Sequence, residues 1–174
     1  MLDEQRTLPV QVGDERATLT SILQYQRDTL MMKCAGLTAE QLRSQALPST
    51  SLTLLGLVRH LAEVERGWFR NVVGGEDVRG YWPRDAAGRP TEWEVADADP
   101  QEAFATWERT CELSRAIVDA AASLDVTGRY VDEARGIDET YSLHYVLTHM
   151  IEEYARHNGH ADLLREAIDG ATGE

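Results

Sequence analysis

The chain has 174 residues, enough for one domain spanning 1–174 that buries a core without disulfides or a structural metal. Its 43% hydrophobic and 27% charged residues are the balance of a soluble globular protein. Seventeen basic against thirty acidic residues leave a formal charge of −13 with no Lys/Arg run, which excludes a nucleic-acid partner and disfavours an anionic membrane surface.

The opening residues, MLDEQRTLPVQVGDER, lack the basic start and apolar core of a leader peptide. No apolar run approaches the roughly 20 residues that cross a bilayer. Cys34 and Cys111 are the only cysteines, too few for a disulfide framework, so both are read as small core residues and a cytoplasmic location is expected.

Amphipathic segments then follow in order. The first runs from about Asp14 to Cys34, with Leu19, Ile22, Leu23, Gln26 and Leu30 at helical spacing and Gly36 as a stop. A short helix starts at Thr38, where Thr38 and Gln41 have capping-box spacing. The second long segment spans about Leu52 to Val73, with Leu54, Leu57, Leu61, Val64 and Trp68 as its apolar stripe and Gly74-Gly75 at its end. Residues 75–98, rich in Gly and Pro, form a long irregular connection of the kind often kept for function. Its Trp82 and Trp93 either cover the core or shape the mouth of a pocket.

Asp99 as N-cap, Pro100 at the first helical position and Glu102 open the third long helix, which continues to about Leu124. A second connection, Asp125 to Glu139, follows; a short strand near Arg129–Val131 is conceivable but is not assigned. The fourth long helix runs from about Thr140 or Tyr141 to Ile168, ended by Asp169-Gly170. Four long helices without a firm strand pattern predict an all-α, up-down four-helix bundle with a long loop between helices two and three.

The fourth helix carries the chemistry. At about 100° per residue, Glu153 sits roughly 40° and His160 roughly 60° from His157 on one side. Val146, Met150, Leu164 and Ile168 fall within about 20° of His157, so the Glu–His pair lies on the stripe expected to be buried. On the second helix His60 lies about 40° from Val64 and borders the buried stripe. A buried carboxylate and imidazole are costly unless paired or ligated. Two nitrogens and one carboxylate suit zinc with an open position, or ferrous iron. The spacing is equally that of a hydrogen-bonded Glu153–His157 pair beside a half-buried His60, and it matches neither His-Glu-x-x-His nor Glu-x-x-His. His149, about 80° away, borders the site or lines a helix seam; His144 points to the opposite side. Arg156, Asp162, Arg165 and Glu166 are expected on a solvated face, in ion pairs worth tenths of a kcal/mol.

Two segments also carry a resemblance. Leu57-Val58-Arg59-His60-Leu61-Ala62 with Trp68-Phe69 is similar to helix two of the DinB-like (YfiT-like) metal-binding bundle superfamily. His149-Met150-Ile151-Glu152-Glu153-Tyr154-Ala155-Arg156-His157-Asn158-Gly159-His160 resembles its fourth helix, above all in the branch of mycothiol S-transferases and the metal domain of mycothiol-dependent maleylpyruvate isomerase. In that superfamily helix two gives one metal ligand and helix four gives two, four residues apart, often all histidines.

The resemblance therefore implies His60, Glu153 and His157 as ligands of a divalent metal, zinc first and iron or nickel as alternatives. His160, where others have Gln, and His149 are implied contacts of the ligands or of substrate. The implied activity is a metal-dependent S-transferase that presents mycothiol as a metal-bound thiolate to electrophiles, a detoxification reaction. Its partners would be a small-molecule thiol, an electrophilic substrate and a second copy in a homodimer. A hydrolase or isomerase on the same scaffold, or a non-catalytic ligand-binding bundle, is the alternative; the isomerase also requires a C-terminal domain, and this chain ends at Glu174.

Overall fold

Local signals fix most helix ends. The Asp14 carboxylate accepts from the Ala17 N–H and starts α1 (Glu15–Cys34). Thr38 and Gln41 form a reciprocal capping box over α2 (Ala39–Arg43). The Thr53 side chain accepts from the Gly56 N–H, so α3 (Leu54–Glu65) begins two residues later than the apolar pattern alone predicts. Its continuation, Arg66–Val73, is π-helical rather than α-helical. Asp99 and Pro100 open α4 (Pro100–Ala120), which stops four residues short of Leu124. α5 (Leu143–Asp169) ends on Gly170 in the left-handed region, at φ 75°.

The computed structural model describes residues 6–173, so the first five residues of the opening stretch read from the sequence lie outside it. The fold is mostly helical, with one two-stranded sheet. That sheet adds a hairpin to the expected all-α chain, over the stretch near Arg129–Val131 where sequence alone assigns no strand. β1 (Thr127–Asp132) pairs antiparallel with β2 (Ile137–Ser142), Thr127 opposite Ser142 and Asp132 opposite Ile137. Thr, Tyr, Val and Ile favour the extended backbone, and Gly136 at φ 66° closes the turn. Ser142 then caps α5, whose start moves to Leu143 because the preceding residues belong to the hairpin. Gly128 admits a close approach: a Cβ there would sit 1.9 Å from the Val72 carbonyl oxygen, so β1 lies directly on the end of the π-helical segment.

α1 packs along α5 and α3 along α4, while α3 also meets α5. Leu54, Leu57, Leu61, Phe69, Leu147, Met150 and Leu164 are fully enclosed between them. Cys34 and Cys111 are buried free thiols, and burial pushes Cys34 up to about 12, far from a reactive thiolate.

A polar cluster crosses this core. Arg27 of α1 donates to Glu65 of α3 through Nε at 2.7 Å and Nη2 at 2.8 Å. The Tyr154 hydroxyl of α5 donates to Glu65 at 2.9 Å and accepts from the Trp107 indole of α4 at 2.8 Å. One connected network therefore ties four helices together. Arg165 corrects another expectation: it is buried rather than solvated, donating to the carbonyls of Lys33 and Ala35 and pairing with Asp169, which anchors α5 to the end of α1.

Candidate metal centre

The seam between α3 and α5 sets the site. The His60 and His157 rings lie 4.9 Å apart, and two helical turns away Trp68 meets His149 at 4.7 Å, the pairing of antiparallel neighbours. Along α5 the i, i+4 rule lines up Tyr145, His149, Glu153 and His157. One ligand atom each from His60, Glu153 and His157 lies within 4.8 Å of the others. Within the trio, His157 Nε2 and Glu153 Oε2 are 3.3 Å apart.

The surroundings of each imidazole match a cation site. Burial, followed by the neighbouring His60, pushes His157 down to about 4 against the pull of Glu153, so the ring is neutral with a free lone pair at ordinary pH. Nδ1 of His60 is buried with no hydrogen-bond partner among the described residues, and its nearest carboxylate oxygen, on Glu92, is 3.6 Å away. A buried polar atom without a partner is costly, and the Glu92 carboxylate is the group placed to answer this one. Two imidazoles and one carboxylate are a borderline-soft donor set that fits a divalent ion such as zinc.

The other histidines separate as follows. His160 Nδ1 lies 3.4 Å from His157 Nδ1, and His149 Nε2 lies 3.7 Å from Glu153 Oε1, so both border the trio without joining it. His144 stands apart, exposed and facing Glu15 at 3.3 Å.

A family model described as Mycothiol-S-transferase matches residues 18–170. The chain belongs to the mycothiol-S-transferase family. A search of curated proteins finds no match. No helix among the described residues is long and apolar enough to cross a membrane.

In this mycothiol-S-transferase family member the 76–98 connection does more than cover the core. The Trp93 ring stacks on His60 at 4.7 Å and 27°, while Glu92 faces the edge of the same ring. Gly56, one turn before His60, leaves room for that indole: a Cβ would stand 3.1 Å from Trp93 Cε3. Trp82 carries the Arg59 guanidinium over its face at 4.7 Å, and both tryptophans line a cavity of about 720 Å³. Sequence reasoning missed Glu92, because nothing in a loop's periodicity says which carboxylate turns inward.

Proposed function

We propose that the protein is a divalent-metal-dependent S-transferase that uses mycothiol as its thiol and conjugates it to electrophiles. It would do so as one DinB-like four-helix-bundle domain, cytoplasmic and in detoxification, with zinc the expected metal and a homodimer the expected assembly. The single observation that carries the reading is the meeting of His60, Glu153 and His157 within 4.8 Å, in a chain of this family. A divalent ion held there supplies the charge that lowers a thiol's pKa and keeps its sulfur as thiolate.

The protein's own groups prepare the place. His157, neutral at pH 7, offers a lone pair without first losing a proton. Glu153 contributes one negative charge, so a cation and one thiolate beside it approach electroneutrality. Glu92, on the Nδ1 side of His60, stands where it can accept that N–H and fix the tautomer, as carboxylates do behind ligating histidines. Trp93 over the ring face restricts its rotation and keeps water off it.

Elemental analysis of purified protein should give one divalent metal per chain, and conjugation of mycothiol to an electrophile should stop on chelation and return when metal is restored. Equal turnover with water in place of the thiol would overturn the transferase reading in favour of a hydrolase. Full metal content in a folded His60→Ala, Glu153→Ala or His157→Ala variant would overturn the ligand set.

A further inference from the structure

We propose that Trp68, Tyr141, Tyr145 and His149 form the acceptor site of this transferase and that it takes a planar aromatic electrophile; this rests on the function proposed above. The four rings form a connected surface. Trp68 meets Tyr141 edge-on at 5.0 Å, His149 at 4.7 Å and Tyr145 at 6.1 Å. Tyr145 lies parallel to His149 at 5.9 Å and 11° and touches Tyr141 at 5.0 Å. Unlike the aromatics of the core, these rings reach solvent, with Tyr145 49% exposed. Beside them, between the π-helical segment and the hairpin, lies a cavity of about 410 Å³ lined by Val64, Trp68, Val72, Tyr130 and Tyr141, with Arg66 and Arg135 as its cationic groups. That volume suits a small aromatic molecule.

The surface is also joined to the candidate metal centre. His149, its inner member, lies 3.7 Å from Glu153, so the ring surface begins beside the trio. The π-helical segment is what puts Trp68 there. In a continuous α-helix Trp68 would drift about 80° around the axis from His60; the wider π turn rotates less per residue and returns it toward the His60 side. Such insertions concentrate at functional sites. Flat rings offset or edge-on to one another favour a flat guest, more so when it is electron-poor.

The test compares a flat acceptor with a small one. Chlorodinitrobenzene and iodoacetamide both react with a thiolate: sulfur forms a bond to carbon, the carbon–halogen bond breaks, the halide leaves with its electron pair, and the thiol proton passes to solvent. With metal-replete protein and mycothiol, Trp68→Leu should raise KM for chlorodinitrobenzene about tenfold, the loss expected for removing a principal ring contact. KM for iodoacetamide, KM for mycothiol and metal content should stay as in the wild type. Tyr145→Ala, a surface change that leaves folding intact, should give the same pattern at about threefold.

Unreactive dinitrobenzene, with binding followed by isothermal titration calorimetry in the same proteins, separates the two layers. If neither acceptor is conjugated but dinitrobenzene binds the wild type and not Trp68→Leu, the transferase reading fails and the aromatic site stands. Equal KM changes for both acceptors, or unchanged dinitrobenzene binding in Trp68→Leu, overturns the site. Unchanged binding with a halved sedimentation mass identifies the surface as a contact between two copies instead, and equally overturns it.

Discussion

Two polar clusters share α3 and α5, one crossing the core to α1 and α4 and one at the α3–α5 seam, and they are built differently. Around Glu65 every strong group is answered: both carboxylate oxygens accept from Arg27, one also from Tyr154, and Tyr154 in turn accepts from Trp107. Around His157 the contacts are longer and fewer: Glu153 stands at 3.3 Å, the His160 ring shares a hydrogen bond at 3.4 Å, and Nδ1 of His60 has no hydrogen-bond partner among the described residues. A closed network rigidifies a core and asks for nothing further. A looser one, held in place by well-packed neighbours, leaves room for the ion proposed above.

The comparison breaks first at Glu65. Glu65→Ala leaves the Arg27 guanidinium buried without its carboxylate, and removing one partner of a buried pair costs roughly 3–5 kcal/mol. Urea unfolding of the metal-free protein should show that loss, together with reduced yield of folded material. His157→Ala should behave in the opposite way. It removes a neutral ring whose polar contacts stand at 3.3 and 3.4 Å, so metal-free stability should fall by less than in Glu65→Ala, while metal stoichiometry falls to zero. A His157→Ala protein as destabilised as Glu65→Ala would mean that both clusters are structural.

This contrast explains what the sequence could and could not reveal. Leu61, Glu65 and Phe69 recur every four residues, and Arg27 stands four residues after Leu23 and three before Leu30. Neither charge is singled out by sequence although both fall on these spacings, and which acid meets which base depends on how α1 packs across α3. His60, Glu153 and His157 were readable from such spacing, with the family resemblance supplying their common purpose. The hairpin was not assigned because Thr127–Val131 is short and broken by Gly128, a residue that weakens a strand and is there to let Val72 approach. Arg165 reads as a surface residue because its partners are backbone carbonyls of a distant helix end, which leave no trace in composition.

Acid should separate the clusters in sequence. His157 holds its proton only near pH 4 when folded but near 6.5 when unfolded, so between those values the unfolded chain takes up a proton that the native state refuses. Stability of the metal-free protein is therefore full above about 6.5 and declines as pH falls toward 4. Glu65 acts later. Burial alone would raise its carboxyl, yet Arg27 and the hydrogen bonds from Arg27, Ser114 and Tyr154 hold it below the usual carboxylate range. Its contribution persists down to the ordinary carboxylate range and is lost only as pH drops through its lower folded value. Urea midpoints at pH 7, 5 and 3 should show both stages, and His157→Ala should flatten the first alone. A single transition common to both proteins would count against the neutral His157.

The smallest expected effect is the most discriminating, because it touches neither the ligands nor the core network. Glu92 sits in the 76–98 connection, and its nearest contact with the trio is the 3.6 Å approach to His60 Nδ1. If that carboxylate orients His60, Glu92→Gln keeps the shape and an acceptor oxygen but loses the charge that raises the basicity of the ring. Metal affinity, measured by competition with a chromophoric chelator, should fall about tenfold, the lower end for a carboxylate behind a ligating histidine, with the thermal midpoint of the metal-free protein unmoved. Gly56→Ala approaches the same ring from its other support, since the added methyl would stand 3.0 Å from Thr53 Oγ1 and 3.1 Å from Trp93 Cε3 and shift the indole against His60 by a few tenths of an ångström. A comparable loss of affinity in both variants assigns the long connection a part in holding the ligand. Unchanged affinity in Glu92→Gln with a loss in Gly56→Ala would leave Trp93 as the only restraint on the ring and make the nearby carboxylate incidental.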